Sequence, residues 1–146
     1  VELDLRRFYE AAVSLERVAK NRELLEALLA EEQEHKRQFD RRYEELTGHK
    51  LLYLNVDKRR RLVELVTNPS DGENLIEQAV DNEQKAVQFY EEAANLIPPG
   101  WLRQAFEELA EKERAHVALL RERLKAEEET ENGDGRAREA ATADAA

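Results

Sequence analysis

Two Glu-x-x-His motifs carry the clearest chemical signal in this sequence: Glu32 with His35, and Glu113 with His116. On an α-helix, residues i and i+3 lie on one face, so each pair can direct a carboxylate and an imidazole toward one point. Both pairs lie within apolar helical stripes; around the second motif the stripe comprises Phe106, Leu109, Ala110, Val117, Leu120 and Leu124. A helix packing by such a stripe would bury ionisable groups, which is unfavourable unless they are paired, protonated or bound to a cation.

The chain repeats itself at an offset of 81 residues, the separation of Glu32 from Glu113. Each copy has a Glu on its first predicted helix and a Glu-x-x-His on its second, and the two copies share one register. The aligned identities include Glu2/Glu83, Phe8/Phe89, Tyr9/Tyr90, Glu32/Glu113 and His35/His116. We therefore interpret the chain as two copies of one helical hairpin.

Turn signals divide the sequence into four predicted helices, at about 2–18, 22–46, 70–97 and 101–128. The polar stretch 20–23 predicts the first break, Gly48 ends the second helix, and Pro-Pro-Gly at 98–100 ends the third. Ser70 and Glu73 have the spacing of a capping box at the start of the third helix. The crossover 47–69 is long and contains "KRRRLVELV", which could form a short helix of its own. A short loop, a long crossover and a short loop are the connections of a ferritin-like four-helix bundle.

Composition agrees with an all-α domain and excludes several classes of function. The 146 residues are 41% hydrophobic and 38% charged, with few Gly and Pro, which is typical of helices with charged outer faces. We predict one bundle domain at 1–128 and a disordered tail at 129–146, because the tail lacks core-forming side chains. A net charge of −10 argues against nucleic-acid binding and adhesion to anionic membranes.

Several residue types are missing altogether, and each absence is informative. The chain has no Cys, which excludes thiolate catalysis, iron–sulfur ligation and a Cys-ligated zinc or rubredoxin site on this chain. It has no Met, even at position 1, so we expect it to be a trimmed part of its translation product. With no apolar run of roughly 18 residues and no signal peptide, the predicted compartment is the cytoplasm.

A metal centre accounts for the buried motifs better than ion pairing does. Each predicted helix places a motif Glu on its inward stripe, and these stripes carry almost no basic residues near the motifs. Two divalent or trivalent ions would neutralise four converging carboxylates and would also use both imidazoles. Di-iron and di-manganese bundles have a known ligand set. Two of their helices contribute one Glu each, and the other two contribute a Glu-x-x-His motif each. The predicted ligands are Glu2, Glu32, His35, Glu83, Glu113 and His116.

The segments "NEQKAVQFYEEAA" and "FEELAEKERAHVALL" resemble a rubrerythrin-type ferritin-like domain, and "VELDLRRFYEAAV" with "LLAEEQEHKRQF" resembles its first half. The resemblance covers about residues 1–46 and 71–126. It implies two bound iron ions, with manganese or a mixed pair as variants. It also implies redox activity toward hydrogen peroxide or dioxygen, of peroxidase, oxidase or ferroxidase type, an external electron donor and a homodimer.

The same resemblance implies a role for each candidate site residue. Glu32 and Glu113 would bridge the two ions, Glu2 with His35 would complete one site, and Glu83 with His116 the other. Two tyrosines lie seven residues after the non-bridging glutamates, on the same helix faces. They would act as hydrogen-bond donors behind the ligands and as possible electron sources; these candidate catalytic residues are Tyr9 and Tyr90.

Two features differ from peroxide-reducing rubrerythrins and leave other functions open. Those proteins have an extra Glu where this chain has Ala86, and they carry a rubredoxin domain, which a Cys-free chain cannot form. One alternative is a protein that binds or hands on iron without catalysis. Another is an oxygenase acting on an organic substrate that reaches the metals past small residues, namely Ala12, Ala86, Ala93 and Ala94. A metal-free structural bundle is the third alternative.

Overall fold

The computed structural model describes residues 1–15, 19–50, 69 and 74–143. The described residues form four helices: α1 (Glu2–Leu15), α2 (Ala19–Thr47), α3 (Leu75–Leu96) and α4 (Trp101–Ala143). Helix α1 packs along α2, and α3 packs along α4, so each sequence repeat forms one hairpin. The two hairpins meet where α1 faces α3 and α2 faces α4. The all-α bundle that the sequence predicts is therefore confirmed.

The first helix boundary differs from the prediction. Helix α2 begins at Ala19, so the polar stretch 20–23 is helical and is not a break; residues 16–18 lie outside the described residues. The side chain of Asn21 explains the difference. Asn usually favours turns, because its side-chain amide competes with the helix for hydrogen bonds to backbone groups. Here that amide donates to Glu127 and accepts from Arg123 Nε, both at 2.7 Å. Tertiary partners on α4 thus satisfy the residue that predicts the break.

The caps of α2 and α3 agree in part with the sequence. Gly48 follows α2 with φ of 71°, and its amide donates to the Glu44 carbonyl at 2.9 Å, as predicted for a C-terminal cap. Helix α3 is capped by Asn74, whose side-chain oxygen accepts from the Ile76 amide at 2.9 Å. The predicted capping box at 70–73 and most of the crossover, including its possible short helix, lie outside the described residues.

Helix α4 begins where predicted and ends later. Trp101 follows Gly100, which has φ of 157°, and its ring packs edge-on against Tyr43 with centroids 6.2 Å apart. The helix continues to Ala143, so the predicted disorder of the tail is corrected for 129–143. Continuation of an existing helix requires no new nucleation, and the tail contains Ala, Glu and Arg, which are good helix formers, although each Gly costs about 1 kcal/mol relative to Ala. The domain boundary at 128 stays a prediction.

Two apolar clusters form the core, and the polar cluster lies between them along the helices. The first cluster contains Phe8, Tyr9, Ala12, Leu25, Leu28, Ile76, Ala79 and Leu120. The second contains Leu5, Ala86, Tyr90, Leu109 and Ala110. On α3, for example, Glu83 lies between Ala79 of the first cluster and Ala86 of the second. The motif residues therefore occupy a layer of the bundle with apolar packing above and below it.

The outer faces of the helices are charged. Ion pairs within one helix include Lys36 with Asp40 on α2, at 2.7 Å, and Lys85 with Asp81 on α3, at 2.5 Å. Pairs of this kind at exposed sites contribute little to stability but keep the surface hydrated. Among the described helices, none has an apolar stretch of the length needed to cross a bilayer.

Candidate metal centre

The structure brings the two Glu-x-x-His motifs together in the middle of the bundle. Glu32 and His35 on α2 face Glu113 and His116 on α4, and one ligand atom from each lies within 4.8 Å of the others. All four residues are buried. Because i and i+3 share a helix face, each helix contributes both of its side chains to the same point. Four such groups could hold a metal ion.

His116 lies among three carboxylates. Its Nδ1 is 3.0 Å from Glu113 Oε2, 3.1 Å from Glu32 Oε1 and 3.4 Å from Glu83 Oε1. Glu83 comes from α3 and is fully buried. We call Glu83 and His116 the Glu83–His116 half of the centre.

His35 occupies the corresponding position on the other side. Its Nδ1 is 3.6 Å from Glu113 Oε1, 3.8 Å from Glu2 Oε2 and 3.9 Å from Glu32 Oε1. The rings of His35 and His116 are stacked, with centroids 5.3 Å apart and planes at 12°. We call Glu2 and His35 the Glu2–His35 half. The structure thus brings together all six side chains that the sequence singles out as ligands.

Eight buried polar atoms of these six residues have no hydrogen-bond partner. They are Glu2 Oε2, both carboxylate oxygens of Glu32 and of Glu113, Glu83 Oε2, and the Nδ1 atoms of His35 and His116. Folded proteins rarely leave buried polar atoms unpaired, because each costs free energy, and here they converge on one volume. Cations bound among them would satisfy these atoms. The oxygen-rich donor set with two imidazoles fits iron or manganese.

Two tyrosines link the hairpins at the centre. The hydroxyl of Tyr9 on α1 donates to Glu83 Oε1 on α3, and that of Tyr90 on α3 donates to Glu2 Oε1 on α1, at 2.6 Å. Burial, followed by the charge of the neighbouring Glu, raises the pKa of each tyrosine well above its ordinary value. Both hydroxyls therefore stay protonated and donate. The second oxygen of each Glu is left without a partner.

Glu31 is a site residue that the sequence does not reveal. Its Oε2 lies 2.9 Å from Nε2 of His116, on the side of the ring opposite the carboxylate cluster. A carboxylate in this position fixes the tautomer and orientation of a metal-binding His. The repeat gives no signal for it, because the residue aligned with Glu31 is Lys112.

A cavity of about 190 Å³ between α2 and α4 reaches the centre from outside. Its wall includes His35, the apolar side chains of Phe39 and Leu109, the ion pair of Arg42 with Glu108, and Lys112. The four alanines proposed to line an oxygenase channel do not border this cavity. Three of them, Ala12, Ala86 and Ala94, are buried in the bundle instead.

The carboxylates of the metal-free centre differ in charge. Burial, together with the charge of Glu113, raises the pKa of Glu2 to about 8. Burial also raises the pKa of Glu83 to about 7 and that of Glu32 well above its ordinary value, although His116 opposes both shifts. Burial works against ionisation of Glu113 as well, but its contacts with His116 and His35 prevail and lower its pKa to about 2. Without metal, the site holds protons in place of cations.

These shifts predict that the metal-free protein loses stability as pH rises from about 5 to 8. Glu2 and Glu83 are protonated in the native state over a range in which they are ionised in the unfolded chain, so unfolding releases protons. The pKa of His116 is also raised, which acts in the same direction. We expect the free energy of unfolding to fall by at least about 2 kcal/mol, since each pKa unit corresponds to about 1.4 kcal/mol. Urea unfolding in a chelator at several pH values measures it.

The matched variant for this measurement is Glu2→Gln with Glu83→Gln, which removes two of the groups with raised pKa values and leaves Glu32 and His116. Its stability should fall less than that of the wild type between pH 5 and 8. An equally steep fall in the variant would contradict the assignment of the pH dependence to these residues.

The chain was compared with known protein families and with solved structures. The family described as Rubrerythrin matches residues 73–145, half of the chain, including all of α3 and α4. A solved structure of a hypothetical protein from Pyrococcus furiosus shares the fold, with a TM-score of 0.60 and 19% identity over 85% of this chain and 81% of that one. No curated protein matches at a significant level. By the match to its second half, the chain belongs to the rubrerythrin family.

Proposed function

We propose that this protein binds two iron ions at the carboxylate–histidine centre and uses them in redox reactions with hydrogen peroxide or dioxygen. The observation that carries the proposal is the convergence of eight unpaired buried polar atoms, contributed by all four helices. Membership of the rubrerythrin family, a family of ferritin-like di-iron domains, supports iron over manganese.

The distances support a distinct role for each carboxylate. Glu113 directs one oxygen toward His116 and the other toward His35, as a ligand that bridges two ions would. Glu32 lies near both imidazoles and is the second bridging candidate. Glu83 and Glu2 each contact one imidazole, so they would be the terminal ligands of the two halves.

Two bound Fe(II) ions would supply two electrons, the number that reduces one peroxide to two water molecules. The residues of the chain hold and shield the site. Tyr9 and Tyr90 fix the terminal carboxylates by hydrogen bonds, and their raised pKa values keep both protons on the hydroxyls at neutral pH. The apolar clusters on either side limit access of water, which strengthens electrostatic interactions within the layer.

Non-catalytic iron handling is the second candidate, and two observations favour it. Ala86 is buried one turn after Glu83, so α3 offers no further carboxylate there. The cavity at His35 gives one half of the centre a route to solvent, through which an ion could leave. A protein that hands on iron would release it faster than it turns over an oxidant.

To test the proposal, the protein is loaded with two equivalents of Fe(II) in the absence of oxygen. One sample is then mixed with hydrogen peroxide and a parallel sample with dioxygen. We expect about two Fe(II) oxidised per peroxide, because H₂O₂ + 2 Fe²⁺ + 2 H⁺ gives 2 H₂O + 2 Fe³⁺. Rapid-mixing absorbance follows the oxidation, and an added reductant shows whether the cycle repeats.

The control is the double variant Glu32→Ala/Glu113→Ala at the same iron concentration. Oxidation no faster with the wild type than with this variant would count against redox catalysis. Iron that the wild type binds but yields to a ferric chelator without turnover would instead favour iron handling.

A further inference from the structure

The two halves of the centre are related by the sequence repeat, which makes their differences informative. Tyr9 donates to Glu83, and its repeat counterpart Tyr90 donates to Glu2, so this pair of contacts obeys the internal symmetry. The surroundings of the two histidines do not obey this symmetry. Glu31 contacts His116, and the residue aligned with Glu31 is Lys112.

Glu31 strengthens His116 as a ligand. With Nδ1 facing the three carboxylates, a proton on Nε2 can be donated to Glu31 across 2.9 Å. That hydrogen bond keeps the Nδ1 lone pair available for a cation and makes it more basic. Loss of such a partner typically costs about 10–100-fold in metal affinity.

His35 lacks this support. Among the described residues no carboxylate contacts its second ring nitrogen, and His35 shares the wall of the cavity with Lys112. Lys112 donates to the neutral amide of Gln38 at 2.9 Å, so its charge is not cancelled by that contact. A cation in the place of a carboxylate disfavours a second cation nearby.

The solvent exposure of the side chains also differs between the two halves of the centre. The side chains of Glu2 and His35 are 14% and 8% exposed, whereas those of Glu83 and His116 are 0% and 4% exposed. The cavity borders His35 and not His116. The half without a supporting carboxylate is therefore also the half that solvent can reach.

We propose that the two metal positions are inequivalent: the Glu83–His116 half, supported by Glu31, binds its ion first and tightly, and the Glu2–His35 half binds an exchangeable ion that enters and leaves by the cavity. Glu31 is a positioning residue, since it acts through His116. This inference rests on the proposed function only in that the six residues bind metal.

Titration of the full chain with Mn(II) by calorimetry, and with Co(II) by visible absorption, tests the proposal without reference to activity. We expect two binding steps whose Kd values differ by at least about tenfold. Glu83→Gln should remove the tighter step and Glu2→Gln the weaker one. Failure to bind either metal would overturn the proposed function, whereas two equal steps would overturn the inference alone.

Variants outside the ligand set make the test specific. Glu31→Gln should weaken the tighter step about 10–100-fold, shift the absorption of the first Co(II) and leave the weaker step unchanged. Lys112→Glu should strengthen the weaker step, because it supplies the missing carboxylate. Glu26→Gln and Lys125→Glu make the same charge changes at exposed positions of α2 and α4 and should alter neither step. Equal effects of Glu31→Gln on both steps, or on neither, would overturn the proposal.

Discussion

Substitution of Glu113 by Ala is expected to remove both metal ions, whereas substitution of Glu83 by Ala removes one. The physical reason is the position of the two Glu113 oxygens, which lie 3.0 Å from His116 and 3.6 Å from His35. A side chain shared by two cations also lowers their mutual repulsion, so its loss weakens both sites at once. Equilibrium dialysis against excess Fe(II) without oxygen, followed by elemental analysis on both sides of the membrane, should give about two protein-bound irons in the wild type, about one in Glu83→Ala and close to none in Glu113→Ala.

Glu107→Ala is the matched control, because Glu107 is an exposed Glu on the same helix. It should retain the iron content of the wild type. Circular dichroism should show that all variants keep their helices, since the substitutions replace Glu with the strongest helix former. If Glu113→Ala kept one tightly bound iron, Glu113 would be a terminal ligand and the bridging assignment would be incorrect.

The sequence predicts the core of the candidate site well, because that part depends on helical periodicity. A spacing of three residues places Glu32 with His35 on one face, whatever the tertiary structure. The repeat then predicts that Glu2 and Glu83 occupy equivalent positions, and the structure brings both to the cluster. The apolar stripes around these residues predict their burial for the same reason.

Features that depend on contacts between helices were not predictable from the sequence. Glu31 is one residue from Glu32, and only the packing of α2 against α4 determines that it reaches His116. The break predicted at 20–23 was wrong because partners on α4 satisfy Asn21. The cavity results from the spacing between two helices, which no local pattern encodes. Local signals thus predict which side chains converge at the candidate centre, and tertiary contacts create the difference between its two halves.

Metal loading is expected to raise the melting temperature by roughly 20 °C. A ligand that binds only the native state stabilises it by about 4 kcal/mol at a thousand times its Kd and by about 3 kcal/mol at a hundred times its Kd, so a tight ion and a tenfold weaker one together contribute about 7 kcal/mol. For a chain of this length, each kcal/mol corresponds to about 2–4 °C. Thermal unfolding at neutral pH, with Mn(II) as a redox-stable probe and with a chelator as the reference, measures the shift.

The size of this shift in melting temperature depends on how far the metal-free centre destabilises the native state. Without cations the native state must keep Glu2 and Glu83 protonated or tolerate their charges beside Glu113, and either choice weakens the apo bundle at neutral pH. Bound cations replace those protons, so the shift should be larger at pH 8 than at pH 6. The double variant Glu32→Ala/Glu113→Ala has no such centre and should melt at nearly the same temperature with and without Mn(II). An equal shift in that variant would mean that the metal stabilises the protein from its acidic surface, and the buried cluster would then need another explanation.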